Sequence, residues 1–232
     1  MTRISPVVIA FDADDTLWDN QLQYDDVENR YCRLLSAYGN ADDVRASLYE
    51  VEKANMATMG YGTKAFVLSL IQNALTMSHD SIDATVIRSI LDMGHSLLRN
   101  PATPLDGVLP TLQALHDRQR YHLACFTKGD LLDQENKLIR SGLRQFFQTV
   151  EIVSEKTADQ YLALCSRLGI APHQFMMVGN SFRSDIHPIL QLGGYGIHIP
   201  YKHMWQYEHT EEYEHQRMTR IKDIRELLDI VE

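Results

Sequence analysis

Residues 12–17 read Asp-Ala-Asp-Asp-Thr-Leu and follow the apolar run Val7 to Phe11 without a break. Asp12 and Asp14, one residue apart at the end of a run apolar enough to be buried, are hard to ionise together, because desolvation and mutual repulsion both oppose their charge. A divalent cation relieves that repulsion, and hard oxygen ligands of this kind suit Mg2+. A solvated acidic turn or a helix cap accounts for any one of these aspartates. It accounts less well for their place directly after five apolar residues, and on the pair alone both readings stay open.

Three further apolar runs end in residues of the same interest. Leu123 to Phe126 leads into Thr127-Lys128-Gly129-Asp130, where a hydroxyl and adjacent backbone N–H groups ahead of a helix can cradle a phosphate. Val150 to Val153 leads into Ser154-Glu155-Lys156-Thr157, where Lys156 could neutralise phosphoryl oxygens. Phe175 to Val178 leads into Gly179-Asn180-Ser181-Phe182-Arg183-Ser184-Asp185, where Asp185 could complete a metal site. Taken singly, each signal is weak, and the Thr127 and Lys156 segments read more readily as a helix cap and as a solvated lysine beside a capping threonine. Their order at successive run ends is what makes the combination specific.

The elements that must position these residues follow from the same runs. With Gly196 to Ile199 there are five, none alternating cleanly between apolar and polar, as expected of strands covered on both faces in a parallel sheet. Helical patterns separate the later ones: Leu131 to Leu143, with Leu131, Leu138 and Ile139 on one side; Thr157 to Leu168, with Tyr161, Leu164 and Leu168; Asp185 to Leu192; and Ile221 to Val231. Alternating strands and helices imply an α/β, doubly wound, Rossmann-like parallel sheet core with helices on both faces, its strand C-terminal ends on one ligand-binding edge. Residues 20–101 interrupt the alternation with four amphipathic periods and no convincing strand, the third with Thr63 as its expected cap. The chain thus divides into an α/β core, residues 1–19 and 102–232, and an inserted all-helical domain, residues 20–101.

The set Asp12-x-Asp14-x-Thr16, Thr127, Lys156 and Gly179-Asn180-Ser181-x-x-x-Asp185 resembles the four motifs of the haloacid dehalogenase-like hydrolase superfamily, in its members with a helical cap between the first and second motifs. The resemblance spans the whole core and is specific for the superfamily, not for a substrate. It implies that Asp12 is the nucleophile, forming an aspartyl-phosphate that water cleaves, and that Asp14 is the general acid and base. Thr127, Lys128 and Lys156 would bind the substrate phosphate. Mg2+ would be held by Asp12, by the Asp14 carbonyl oxygen and by Asp185, with Asn180 a weaker ligand. One departure stands out: the family commonly has an acid where this chain has Asn180, which leaves Asp185 as the single carboxylate of the fourth motif.

The implied activity is Mg2+-dependent hydrolysis of a small phosphorylated metabolite. Carbon–halogen hydrolysis leaves Asp14 and Asp185 without a task, phosphomutase action needs a cap residue that the sequence does not single out, and a non-catalytic binding module rests on Asn180 alone. Composition agrees with an ordinary globular enzyme: 232 residues, 44% hydrophobic, with 22 basic against 31 acidic side chains for a net charge of −9. Such a balance disfavours nucleic acid. No run is long enough for a membrane span or signal peptide, and three unpaired-looking cysteines, Cys32, Cys125 and Cys165, point to a cytoplasmic protein. The run Glu208 to His215 is read as a solvated acidic segment. Approach of Tyr201 to Trp205 to the active edge is the less favoured reading. Met56, Met59 and Tyr61 are read as helix-packing residues.

Overall fold

The structure is a computed structural model and describes residues 6–232, so residues 1–5 of the expected core lie outside the described residues. All five apolar runs are strands, with ends shifted by a residue or two: β1 (Val8–Phe11), β2 (His122–Lys128), β3 (Thr149–Val153), β4 (Phe175–Gly179) and β5 (Tyr195–His198). A sixth, β6 (Met218–Arg220), was not expected; its three residues sit on the sheet edge and include Thr219 and Arg220, so it carries no apolar run. The helices are α1 (Gln21–Leu34), α2 (Ala41–Met59), α3 (Thr63–Met77), α4 (Ala84–Leu98), α5 (Val108–Asp117), α6 (Leu131–Arg140), α7 (Ala158–Leu168), α8 (His187–Gln191) and α9 (Leu227–Ile230).

The sheet is parallel throughout, in the order β3-β2-β1-β4-β5-β6. Within each unbroken apolar run, alternate residues serve opposite faces. Ile9, Phe11, Leu123, Cys125, Met176 and Val178 pack with α5 and α9, while Val8, Ala10, Ala124, Phe126, Phe175 and Met177 pack with α7 and α8. That two-sided burial is why the runs show no alternation in the sequence. From β1 the chain builds outward through β2 to β3, then returns to β4 on the other side of β1. The order therefore reverses beside β1, the place where open α/β sheets bind ligands.

Helices α1–α4 share a separate apolar cluster that includes Tyr31, Leu35, Leu48, Leu70, Ala74 and Ile90. The crossing of α3 and α4 is close: a Cβ added to Gly94 would stand 2.4 Å from Val67 Cγ2. Four helical periods were expected between residues 20 and 101, and four helices are present. Gly62, not Thr63, is the residue ahead of α3.

Three helical expectations need correction. Helix α5 was missed. The C-terminal helix is shorter than Ile221 to Val231, because a turn at Ile224–Glu226 precedes the single turn of α9. Most informative is α6, whose expected apolar side is largely outward: Leu131 and Ile139 are 59% and 66% exposed, and the buried side consists of Asp133, Gln134, Lys137 and Leu138. Among the described residues no helix is long and apolar enough to cross a membrane.

Leu70 is fully buried between helices, so Leu70→Ala is expected to lower the unfolding free energy by about 2–5 kcal/mol, measured by urea denaturation followed by far-UV circular dichroism. A loss below 1 kcal/mol, on the order of a surface substitution, would contradict a packed helical cluster.

Candidate active site

The C-terminal ends of β1, β2, β3 and β4 bring Asp12, Asp14, Thr127, Lys128, Lys156, Asn180 and Asp185 to one cavity between the sheet edge and the helices. At its floor lies a buried ion cluster. Lys156 Nζ donates to Asp12 Oδ1 at 2.5 Å and to Asp185 Oδ1 at 2.6 Å, with the Lys156 and Asp185 side chains each 1% exposed. Burial pulls the Lys156 ammonium down in pKa, but Asp12 and Asp185 outweigh it and hold the group above the usual lysine range. Burial, then the neighbouring Asp185 charge, push the Asp12 carboxyl up, to about 7, against the opposing pull of Lys156.

The backbone is shaped to bring these groups together. Gly179 ends β4, and a Cβ there would lie 2.3 Å from Asp185 Oδ2. Only a glycine lets the Asp185 carboxylate fold back over the strand, where its Oδ2 accepts the Ser181 N–H at 2.9 Å. Residues Phe182–Ile186 form one wide π-helical turn, pinned from α7 by the Tyr161 hydroxyl, which lies 3.1 and 3.0 Å from the carbonyl oxygens of Ser184 and Asp185 and donates to one of them at a time. After β1 the chain turns sharply, with Asp15 in the left-handed region at φ 62° and its carboxylate accepting the N–H groups of Asn20 and Gln21 at the start of α1. Asp15 thus has the capping role that was a general alternative for this acidic run. Burial, before any hydrogen bond, drives its pKa up to about 7.

Thr16 ties the first and fourth motifs together. Its hydroxyl lies 3.1 Å from Asp12 Oδ2 and 3.2 Å from Asn180 Oδ1, and it accepts the Asn180 N–H at 3.1 Å. One hydroxyl hydrogen serves one acceptor at a time, and both the Asp12 and the Asn180 oxygen have lone pairs beyond the one it can occupy. These donors are oxygens only: two carboxylates and an amide. Among the described residues no three His, Cys, Asp or Glu side chains gather into a complete metal site. Mg2+ characteristically takes one or two carboxylates and completes its shell from water and phosphate, so the donor set fits that ion.

Asp14 stands apart from the cluster. Trp18 Nε1 donates to its Oδ1 at 2.7 Å, Gln134 Nε2 to its Oδ2 at 2.7 Å, and Lys137 Nζ to both oxygens at 3.0 and 3.2 Å. Thr127 is buried at the end of β2. Lys128, beside it, pairs with Glu208 Oε1 at 2.5 Å and lies 4.0 Å above the Tyr61 ring.

The solvated reading holds for His209 to Glu214, which are exposed, but not for Glu208. The connection between β5 and β6 folds back over the cavity, and Glu208 Oε2 accepts from Ser181 Oγ at 2.6 Å and Ser184 Oγ at 2.8 Å. Burial opposes its ionisation, but Lys128 and the two serines outweigh this and hold its pKa down at about 2. His203, Met204 and Trp205 line the same cavity, as do Met56 and Tyr61; Met59 is 41% exposed. Of the segment Tyr201 to Trp205, the last three residues thus reach the active edge, and Met56 and Tyr61 do more than pack helices. The residues missed altogether are Gln134 and Lys137. Their signal was available, since Gln134 and Lys137, three residues apart, share with Leu138 the face that α6 buries.

Comparisons with known proteins agree with this geometry. The chain is 33% identical to a haloacid dehalogenase-like family hydrolase from Xanthomonas campestris of solved structure, over 97% of this chain and 90% of that one, with a TM-score of 0.84. It is 24% identical over 231 residues to the glyceraldehyde 3-phosphate phosphatase of Methanopyrus kandleri, covering 96% of each. The L-2-haloacid dehalogenase of Xanthobacter autotrophicus shares the fold at 16% identity, with 96% of each chain covered and a TM-score of 0.65. The family model of haloacid dehalogenase-like hydrolase matches residues 7–193, most of the chain, which belongs to that family.

Proposed function

We propose that this hydrolase is a Mg2+-dependent phosphatase that cleaves a small phosphorylated metabolite through an aspartyl-phosphate on Asp12. The observation that carries the reading is the pairing of two differently held aspartates in one cavity: Asp12 on the buried Lys156, and Asp14 on donors of its own. A dehalogenase needs the first but has no use for the second. The relative from Methanopyrus kandleri, named as a phosphatase acting on a triose phosphate, supports the same class of compact substrate.

In this reading an Asp12 oxygen attacks phosphorus and the bond to the leaving oxygen breaks, while Asp14, having taken a proton from solvent in place of one of its four donors, passes that proton to the leaving oxygen. Water then attacks the phosphorus, Asp14 takes the proton, and the Asp12–phosphorus bond breaks to restore the carboxylate. Lys156 and Thr127 hold the phosphoryl oxygens, with Lys128 at the rim. Asp12, the Asp14 carbonyl, Asn180 and Asp185 would hold Mg2+, which supplies charge neutralisation for the phosphoryl group. Asp185 also anchors Lys156 through Oδ1 and accepts the Ser181 N–H through Oδ2, each oxygen keeping a further lone pair. Residues 20–101 serve as the cap over the core of residues 1–19 and 102–232, excluding water during transfer. The three cysteines of the chain are free and buried, which supports a cytoplasmic setting, and the net charge of −9 argues against nucleic acid as a partner.

Asp12→Asn is expected to lower phosphatase turnover by roughly 1000-fold or more across a panel of small phosphate esters with Mg2+, while the thermal unfolding midpoint stays near wild type. Chloride release from a haloacid without metal, with no ester cleaved, would replace this function with dehalogenation. Chelation should abolish turnover and added Mg2+ restore it. Asp185→Asn should impair that Mg2+-dependent turnover far more than Asn180→Ala; equal, mild effects would refute the assignment of Asp185.

A further inference from the structure

We infer that Lys137 and Gln134 of helix α6 are positioning residues that aim Asp14 at the leaving group, an inference that rests on the phosphatase reading. Helix α6 buries an unusual face. Asp133, Gln134 and Lys137 are 4%, 3% and 3% exposed, while the larger apolar side chains Leu131, Leu132 and Ile139 remain in solvent. Burying a lysine is unfavourable unless its charge is met. The carboxylate that a helix would ordinarily offer it is Asp133, one turn back, yet that contact is 4.0 Å. Lys137 instead reaches across to the loop after β1, with Asp14 at 3.0 and 3.2 Å and Asn20 Oδ1 at 2.9 Å. Its burial is spent on orienting Asp14.

Gln134 completes the cradle. Its Nε2 donates to Asp14 Oδ2 at 2.7 Å and to the Lys128 carbonyl at 3.0 Å, while its buried Oε1 has no partner. An amide that leaves an oxygen unpaired in order to donate twice is held there by what it donates to. Together with Trp18 Nε1, these groups fix the Asp14 carboxylate by four hydrogen bonds and leave it little rotational freedom. The same helix meets the inserted helices. The Thr63 hydroxyl donates to Asp133 Oδ2 at 3.1 Å and Lys64 pairs with Asp130. The ledge that receives α3 is therefore the helix that aims Asp14.

The consequence is a dependence on the leaving group. Misplacing a general acid by about 1 Å costs on the order of 100-fold in rate, but only where the departing oxygen needs a proton. The test compares kcat/KM for an alkyl phosphate and for p-nitrophenyl phosphate, whose phenolate leaves unprotonated, in wild type, Lys137→Met, Lys137→Arg and Gln134→Leu. Lys137→Met should lose about 100-fold on the alkyl ester and less than about 5-fold on the aryl ester, and Lys137→Arg should recover most of the alkyl activity. Equal losses on both esters, or an arginine variant as impaired as the methionine one when both are folded by circular dichroism, would overturn the inference. Should Lys137→Met fail to fold, Gln134→Leu must show the same selective loss, and an even loss there counts against the cradle. A wild-type protein that cleaves neither ester would instead sink the phosphatase reading itself, and this inference with it.

Discussion

Lys156 holds the structure of the site together, and what it requires explains much of the rest. An ammonium buried at the floor of a cavity is tolerable only between counter-charges, and here it takes two, Asp12 and Asp185, from two other strand ends. That arrangement demands a parallel sheet with β1 between its partners, so that the ends of β1, β3 and β4 converge. It demands a glycine at 179, because the Asp185 carboxylate must fold back over the chain. It also leaves a carboxylate on the cavity side in Asp12 whose ionisation its surroundings oppose, the condition under which binding of further positive charge is favourable.

Around that floor the charges are sorted into pairs. Asp14 has Lys137, Lys128 has Glu208, and Lys64 has Asp130. With Asn180 in place of a further acid, the cluster of Asp12, Asp185 and Lys156 sums to about one negative charge when all three are ionised. An amide at 180 thus lowers the electrostatic pull on a cation without removing an oxygen donor.

The parts of this architecture that were legible in the sequence were those where burial and chemistry coincide in a short stretch. Strands β1, β2 and β4 showed as unbroken apolar runs because both their faces are covered, and β3 and β5 as short runs carrying Glu151 and His198. Asp12 stood out because it follows such a run directly, and Lys156 and Asp185 because they lie three and seven residues past the last apolar residue of two others. Strand β6 was invisible, since a three-residue edge strand needs no apolar run. Helix α6 was turned the wrong way because apolar patterning assumes that a helix buries its hydrophobic side, and this one buries the side that meets Asp14. Glu208 was hidden for a different reason. Its partners Lys128, Ser181 and Ser184 lie far off in sequence, and locally it is one acid among several beside histidines.

The position of β1 has a further consequence, for the order in which the molecule can assemble. It precedes the other described strands, yet its neighbours are β2 and β4, whose paired residues begin at His122 and Phe175. Between β1 and β2 the chain must first produce four helices that pack on one another. Asp12 meets its lysine 144 residues later. Contacts of such long range are slow to form, and a strand waiting for them is exposed to wrong pairing. A nascent chain of this protein therefore carries β1 unpaired until β2 has emerged and open along its other edge until β4 follows, and the carboxylates at its end, uncompensated and hydrated, keep that strand end in water until the lysine arrives.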